Sequence, residues 1–299
     1  MNRAAIDIGS NSILLTVVSA DGAVVHDEVQ VVGLGRGLGD RGLFAPDRME
    51  AAAEVLASYV ETAGQLGIRP WSIRAVATSA ARRAMNATTF FARIQRQYGL
   101  KVSIISGEEE ARLTWKGATD DLDLETQTVL VIDLGGGSTE LVLGAPNAQS
   151  HRRSLEMGSV RLTEQFFPDE MVTTAQLARA QKHVDQTLQS WNPPHKPTIA
   201  VGVAGTVTSL SAIQLGLTAY DSQAIHGSKL SRAHLSGMIS TLLPMSATER
   251  QAWAAISPKR ADYLLAGSLI LERVLTACKR PSLQVSDRGL RYGVLADRP

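Results

Sequence analysis

The motif Asp-x-Gly-x-x-Ser occurs twice in this chain, at residues 7–12 and at residues 133–138. In both copies an apolar stretch ends at the aspartate, and another apolar stretch begins after the serine. A turn rich in glycine and serine can aim several backbone N–H groups at one anionic oxygen. An ordinary hairpin turn would explain either copy alone, but the repetition in one strand context favours two phosphate-binding hairpins. Their predicted ligands are Gly9, Ser10, Asn11 and Ser12, and Gly135, Gly136, Gly137 and Ser138.

Carboxylates stand beside both hairpins. Asp7 and Asp133 end the two preceding strands, and Glu140 follows the second hairpin. A carboxylate repels a phosphate group, whereas carboxylate oxygens are the ligands that Mg²⁺ prefers. We therefore predict that these three residues hold Mg²⁺, with Mn²⁺ as a substitute, or an ordered water.

Residue type alone does not decide the role of two charged segments. The acids Glu108, Glu109 and Glu110 begin a predicted helix, where carboxylates complement the macrodipole by ~0.3–1 kcal/mol each. That structural explanation is the stronger one from composition. Arg82 and Arg83 follow a predicted strand, and surface charge and phosphate binding explain them equally well.

A third glycine motif, at residues 201–206, closes a strand and opens a helix. In that context Gly205 and Thr206 can meet an anion or a nucleoside, although the motif alone is weak. The chain contains neither the phosphate loop G-x-x-x-x-G-K-[ST] nor the nucleophile elbow G-x-S-x-G. The sequence thus supports neither a P-loop enzyme nor an acyl hydrolase of the usual kind.

The elements that position these residues repeat along the chain. Apolar runs at 4–8, 13–19 and 23–32 predict a three-stranded meander, and helices and strands then alternate up to a helix near Gly107. After a polar linker at 120–127, the same order begins again. The repetition predicts an α/β protein of two duplicated domains, 1–122 and 123–299, with an interdomain cleft and a final helix that can pack back on the first domain.

Composition limits the classes of function. With 299 residues and 44% hydrophobic residues, the chain can bury two cores. A net charge of +1 provides no global field for nucleic acid or a membrane surface. Polar residues at 10–12 interrupt any signal peptide, no apolar run reaches the ~18 residues of a membrane span, and Cys278 is the one cysteine. We expect a cytoplasmic protein without disulfides.

Six segments together resemble the exopolyphosphatase/guanosine pentaphosphate phosphatase family in its short two-domain form. They are the two phosphate motifs Ala5–Ser12 and Val131–Glu140, the segment Ile105–Arg112, the arginine-bearing loop Ala81–Asn86, and the later landmarks Val203–Thr206 and Ser286–Arg291. Their order and spacing agree with the family over nearly the whole chain. The resemblance implies the duplicated actin/hexokinase/Hsp70-like (ribonuclease H-like) fold.

The resemblance also assigns roles. It implies that Glu110 is the catalytic residue, that Arg82 is a phosphate ligand, and that Mg²⁺ supports removal of the terminal phosphate from inorganic polyphosphate. Hydrolysis of the 5′-phosphate of guanosine pentaphosphate is the alternative, and the sequence does not separate the two. A nucleotide-gated scaffold protein or a sugar or acetate kinase on the same fold are the rival classes. A homodimer remains open.

Overall fold

The computed structural model describes residues 1–38, 42–120, 127–145, 148–252 and 258–297. The chain divides into two compact units: Met1–Gly117 with Leu290–Pro299, and Ala118–Gly289. The predicted boundary between residues 122 and 123, and most of the predicted linker at 120–127, lie outside the described residues. In the described part of the chain, no helix has both the length and the apolar character needed to cross a membrane.

The first unit is built on a five-stranded mixed sheet. The strands are β1 (Arg3–Ile8), β2 (Ser12–Val18), β3 (Val24–Val31), β4 (Arg74–Ala77) and β5 (Val102–Ile104). Their order is β3-β2-β1-β4-β5, in which β1, β2 and β3 run antiparallel and β4 and β5 run parallel to β1. The meander predicted from the three apolar runs is confirmed.

In the described part of the first unit, α-helices lie between and after these strands along the chain. They are α1 (Pro46–Gln65), α2 (Ser79–Arg83), α3 (Ala87–Tyr98) and α4 (Gly107–Thr119). Helix α1 begins with Pro46, whose fixed φ suits a first turn, and its apolar stripe buries Leu56 and Tyr59 in the core. The Tyr59 hydroxyl donates to the carbonyl of Ile13 at 3.0 Å, so α1 is fixed against β2.

The second unit contains a six-stranded sheet with the order β10-β11-β9-β6-β7-β8. The strands are β6 (Val129–Leu134), β7 (Thr139–Ala145), β8 (Ala148–Leu155), β9 (Ile199–Val203), β10 (Lys229–Ser231) and β11 (Ser282–Val285). The helices are α5 (Ser159–Phe166), α6 (Thr174–Leu188), α7 (Gly205–Gln214), α8 (Ser222–Ile225), α9 (Arg232–Leu242), α10 (Ala247–Arg250), α11 (Pro258–Ala261) and α12 (Leu264–Ala277). Helix α12 is buried along most of its length and lies at the centre of this unit's core.

The two sheets share one topology, as the sequence repeat predicted. In each, an antiparallel meander is followed by two strands parallel to its first strand: β4 and β5 beside β1, and β9 and β11 beside β6. The second sheet adds β10 at its edge. The elements that the sequence analysis missed include β8, β10, α2, α5 and α8, which are short or polar.

The last helix, α13 (Leu290–Ala296), completes the first unit. Leu113 of α4 and Val294 share an apolar cluster with Ala5 and Val76 of the sheet. Gly293 lies so close to α4 that any Cβ would overlap the carbonyl oxygen of Leu113. Beyond the helix, Arg112 donates to both carboxylate oxygens of Asp297 at 3.0 and 2.8 Å, which lowers the pKa of Asp297 to about 2.

Candidate active site

Three segments of the first unit meet at one sheet edge because β1, β4 and β5 are parallel and end there. The hairpin after β1 is closed by a hydrogen bond from the Gly9 amide to the Ser12 carbonyl at 3.0 Å. The Thr78 amide donates a hydrogen bond to the Ile8 carbonyl at 3.3 Å, and the Ile105 amide donates one to the Ala77 carbonyl at 3.0 Å. The predicted phosphate hairpin, α2 and the start of α4 therefore share the edge at which open α/β sheets bind ligands.

At this edge Arg82 of α2 and Glu110 of α4 form an ion pair. The Arg82 Nη1 atom donates to Glu110 Oε2 at 2.6 Å and also to the Ile105 carbonyl at 3.1 Å. The Glu110 side chain is 8% exposed, and that of Arg82 is 21% exposed. The buried Nη2 atom of Arg82 has no hydrogen-bond partner among the described residues. A buried donor in that state costs about 1–3 kcal/mol, which an anionic oxygen would recover.

The three acids at the start of α4 have three different environments. Glu108 is exposed, whereas Glu109 accepts two hydrogen bonds from Arg112 at 2.8 Å each. These bonds are the main reason why the pKa of Arg112 is raised. Glu110 alone of the three is buried and contacts Arg82. The helix-dipole explanation treats the three residues alike, so it does not account for this arrangement.

In the second unit, β6, β9 and β11 are parallel and their carboxyl ends again share an edge. The hairpin of residues 135–138 is closed by a hydrogen bond from the Gly135 amide to the Ser138 carbonyl at 3.0 Å. The corresponding bond closes the first hairpin. Asp133 and Glu140 face each other across β6 and β7 in the antiparallel register. The two copies of the motif therefore form the same local structure.

Asp133 and Glu140 form a buried pair of carboxylates. One oxygen of each lies within 4.8 Å of the other, and the two residues are 8% and 1% exposed. Glu140 Oε1 also accepts a hydrogen bond from Ser154 at 2.7 Å. Two like charges this close and this deeply buried repel, and an oxygen-preferring divalent cation relieves that repulsion. The donor set fits Mg²⁺ or Mn²⁺ and contains no soft ligand.

A contact that the sequence analysis missed supports the second hairpin. The amides of Ser159 and Val160, at the start of α5, donate to the carbonyls of Gly135 at 3.0 Å and Gly136 at 2.9 Å. Gly158 is packed so tightly that a Cβ would overlap the Gly136 carbonyl. The signal was available as a glycine just before an amphipathic run. A run of eight residues gives too little helical periodicity to predict a helix.

The third glycine motif lies at the carboxyl end of β9. Ala204 has a φ of +79°, and Gly205 then begins α7. A Cβ on Gly205 would lie 2.9 Å from the guanidinium carbon of Arg260. The Thr206 hydroxyl lies 3.4 Å from that of Ser159, which places this loop beside the start of α5. The sequence analysis identified Gly205 and Thr206 here and missed Arg260.

The structure thus distributes the predicted residues over two sets. In the first unit Asp7 and the hairpin Gly9–Ser12 lie at the same sheet edge as Arg82 and Glu110. In the second unit Asp133 and Glu140 flank the hairpin Gly135–Ser138, and Gly205 and Thr206 lie near it through α5. The predicted metal ligands are divided between the units, and their role stays a prediction.

The chain is similar to known proteins along nearly its whole length. The model of the Ppx/GppA phosphatase family matches residues 16–298. The chain is 35% identical to exopolyphosphatase 2 of Mycobacterium tuberculosis over 97% of its own length and 96% of that protein. The crystal structure of an exopolyphosphatase-like protein has a TM-score of 0.93 at 30% identity, covering 99% of this chain and 98% of that one. The crystal structure of the Aquifex aeolicus Ppx/GppA family member has a TM-score of 0.83 at 33% identity, covering 99% of this chain and 96% of that one.

Proposed function

The chain belongs to the Ppx/GppA phosphatase family, with its duplicated actin/hexokinase/Hsp70-like fold, and we propose that it is a Mg²⁺-dependent exopolyphosphatase. It releases orthophosphate from the end of inorganic polyphosphate by hydrolysing a phosphoanhydride bond. The observation that carries this proposal is the ion pair between half-buried Arg82 and buried Glu110, beside a glycine-serine hairpin. Binding an anion needs only the arginine and the hairpin, whereas the buried carboxylate supplies a group that can accept a proton.

The proposed reaction is an attack by water on the terminal phosphorus atom. The water oxygen forms the new P–O bond, the bond to the bridging oxygen breaks, and the shortened chain leaves with the bridging electron pair. Glu110 accepts the proton of the attacking water, a contribution typically worth ~10²–10⁴-fold. Backbone amides of the hairpin residues and the Arg82 guanidinium bind the phosphoryl oxygens, on which negative charge is concentrated.

Asp7, Asp133 and Glu140 are the proposed metal ligands. A bound Mg²⁺ would offset charge on the terminal phosphoryl group and its neighbour. Ser154 donates a hydrogen bond to Glu140 Oε1, which would orient this carboxylate as a ligand. This assignment relies on the close pair of buried carboxylates described above.

The 5′-phosphate of guanosine pentaphosphate is the second candidate substrate. The observation that favours it is the Gly205–Thr206 loop at the start of α7, with Arg260 beside it. A helix N-terminus and a guanidinium together suit a second anionic or polar group on the same substrate. We keep polyphosphate first because the relatives named above carry that activity in their names.

The direct test is orthophosphate release from polyphosphate by the full chain, with Mg²⁺ and with neither ATP nor an acceptor present. A kinase of the same fold would need an acceptor, and a nucleotide-gated scaffold protein would release no phosphate from polyphosphate. Guanosine pentaphosphate assayed in parallel ranks the two substrates by kcat/KM. No release from either compound would contradict the proposal.

The location of the protein in the cell and its binding partners are also proposals. Cys278 is buried, and burial raises the pKa of its thiol to about 11, which makes the thiol unreactive. A cytoplasmic location is consistent with an unpaired structural thiol of this kind. Phosphate substrates are the partners that we propose, without nucleic acid or membrane, and a homodimer is an open alternative.

Arg82→Ala should raise KM about tenfold and lower kcat about tenfold, because Arg82 is proposed to bind phosphate and also holds Glu110 in place. Arg83→Ala is the matched control, since Arg83 is the next residue of the same short helix and is not assigned to the site. Steady-state kinetics of phosphate release, with thermal unfolding of each variant, make the comparison. Equal effects of the two substitutions would show that the wrong arginine was chosen.

A further inference from the structure

A glycine-rich segment of the first unit, Gly33-Leu34-Gly35-Arg36-Gly37, lies directly against the first phosphate hairpin. The Gly33 amide donates to the Asn11 carbonyl at 2.8 Å, and the Gly35 amide donates to the Ser10 carbonyl at 2.7 Å. These bonds occupy the carbonyl oxygens of the hairpin, which would repel a phosphate group. The segment therefore belongs to the construction of the hairpin, although no function has so far been given to it.

Gly35 fits into a narrow space between the hairpin and α2. A Cβ at this position would lie 3.1 Å from the Cβ of Ser10 and 3.2 Å from the Cβ of Ala80. Ala80 belongs to the short helix that also carries Arg82. Gly35 is thus in contact with both of the structures that are proposed to bind phosphate.

Arg36 is the next residue, and the chain turns outward at this point. The Arg36 amide donates a hydrogen bond to the Gly33 carbonyl at 3.0 Å. Gly37 has a φ of +68°, a conformation that glycine adopts without strain. Leu34 and Leu38 on either side are 1% and 2% exposed, so both ends of the turn are anchored in the core. Arg36 itself is exposed, and within the described part of the chain its guanidinium has no hydrogen-bond or ion-pair partner.

From this placement we infer that Arg36 binds a phosphate group of the substrate other than the one that is cleaved. The inference rests on the proposed function and extends it. A guanidinium on a firmly anchored turn beside a phosphate hairpin can bind a phosphate group through two parallel hydrogen bonds. A polyphosphate chain, unlike a single orthophosphate, offers further charged groups beyond its terminal one.

A contact of this kind contributes equally to the ground state and to the transition state, so it changes KM and leaves kcat nearly unaltered. Arg36→Ala should raise KM for polyphosphate about five- to tenfold, the range for one charge-assisted contact that is partly screened by solvent. The inhibition constant of orthophosphate, which occupies only the cleaved position, should stay within about twofold. Arg36→Lys should lie between the wild type and Arg36→Ala, because it keeps the charge and loses the paired geometry.

The matched control is Arg96→Ala, another exposed arginine of the first unit, located in the last turn of α3. It changes the net charge by the same amount without altering the hairpin, so KM should stay at the wild-type value. Four proteins are measured with polyphosphate and orthophosphate at low and moderate salt: the wild type, Arg36→Ala, Arg36→Lys and Arg96→Ala. The difference in KM between wild type and Arg36→Ala should shrink as salt screens the guanidinium.

Three results would overturn the inference. They are an unchanged KM in Arg36→Ala, an equal rise in Arg96→Ala, and an equal weakening of orthophosphate inhibition, which would place Arg36 at the cleaved phosphate. A wild-type chain that releases no orthophosphate would contradict the proposed function instead. Equilibrium titration of the same four proteins with polyphosphate would then test Arg36 separately, with a five- to tenfold weaker Kd expected for Arg36→Ala alone.

Discussion

Glu110→Gln should lower kcat for phosphate release about a hundredfold or more, which corresponds to roughly 2.7 kcal/mol of activation free energy. The amide keeps the shape of the side chain and can still accept a hydrogen bond from Arg82, but it cannot take the proton of the attacking water. KM should stay the same or fall, because the substitution removes a negative charge near a polyanionic substrate. Stopped or continuous assays of orthophosphate release at saturating substrate measure this directly.

Protein stability is the factor that could imitate this result. The substitution removes the charge from a buried ion pair, and breaking such a pair outright can cost about 3–5 kcal/mol. Thermal unfolding and circular dichroism must therefore show that Glu110→Gln is folded at the assay temperature.

Glu108→Gln provides the matched control, because Glu108 is an exposed acid of the same helical turn. It should retain wild-type kcat. A folded Glu110→Gln protein that turns over within about threefold of the wild type would contradict the proposed mechanism.

Removal of divalent metal should abolish phosphate release, and Mg²⁺ or Mn²⁺ should restore it. The physical reason is twofold: the buried carboxylates Asp133 and Glu140 lie close together and repel each other, and the substrate is itself highly charged. Asp133→Asn should lower kcat/KM about a hundredfold at a Mg²⁺ concentration that saturates the wild type, because one anionic ligand is lost. Activity in excess EDTA and a Mg²⁺ titration of both proteins give the two comparisons.

A second measurement separates metal binding from catalysis. A metal that binds only the folded protein stabilises it by about 2.7 kcal/mol at a hundred times its Kd. Mg²⁺ or Mn²⁺ should therefore raise the Tm of the wild type, and the increase should be much smaller in Asp133→Asn. Glu164→Gln, which alters an exposed acid of α5, should keep the full increase. Unchanged turnover in EDTA, or an equal rise in Tm in all three proteins, would contradict a metal site at this pair.

Much of the fold could be predicted because it is encoded locally. β1 and β2 are short apolar runs bounded by polar or glycine-rich turns, and α1 has a proline at its first position and a periodic apolar face. The polar strand β8, with His151, Arg152 and Arg153, could not be predicted in this way. Most of its residues are polar, so no regular apolar alternation marks it as a strand, and its pairing with β7 is a tertiary contact.

The sequence by itself determined that the chain carries two copies of one phosphate-type hairpin, each with an aspartate at the end of a strand, because that motif is a local turn. The residue types of the three acids of α4 do not show how their environments differ. Successive residues of a helix point about 100° apart, so Glu108, Glu109 and Glu110 face three directions, and only tertiary packing decides which direction meets Arg82. The contact of Gly35 with Ser10 and Ala80 is likewise a tertiary result, since it joins three segments that are distant in sequence. Local turn chemistry thus specified the two hairpins, while long-range packing determined which charged side chains lie beside them.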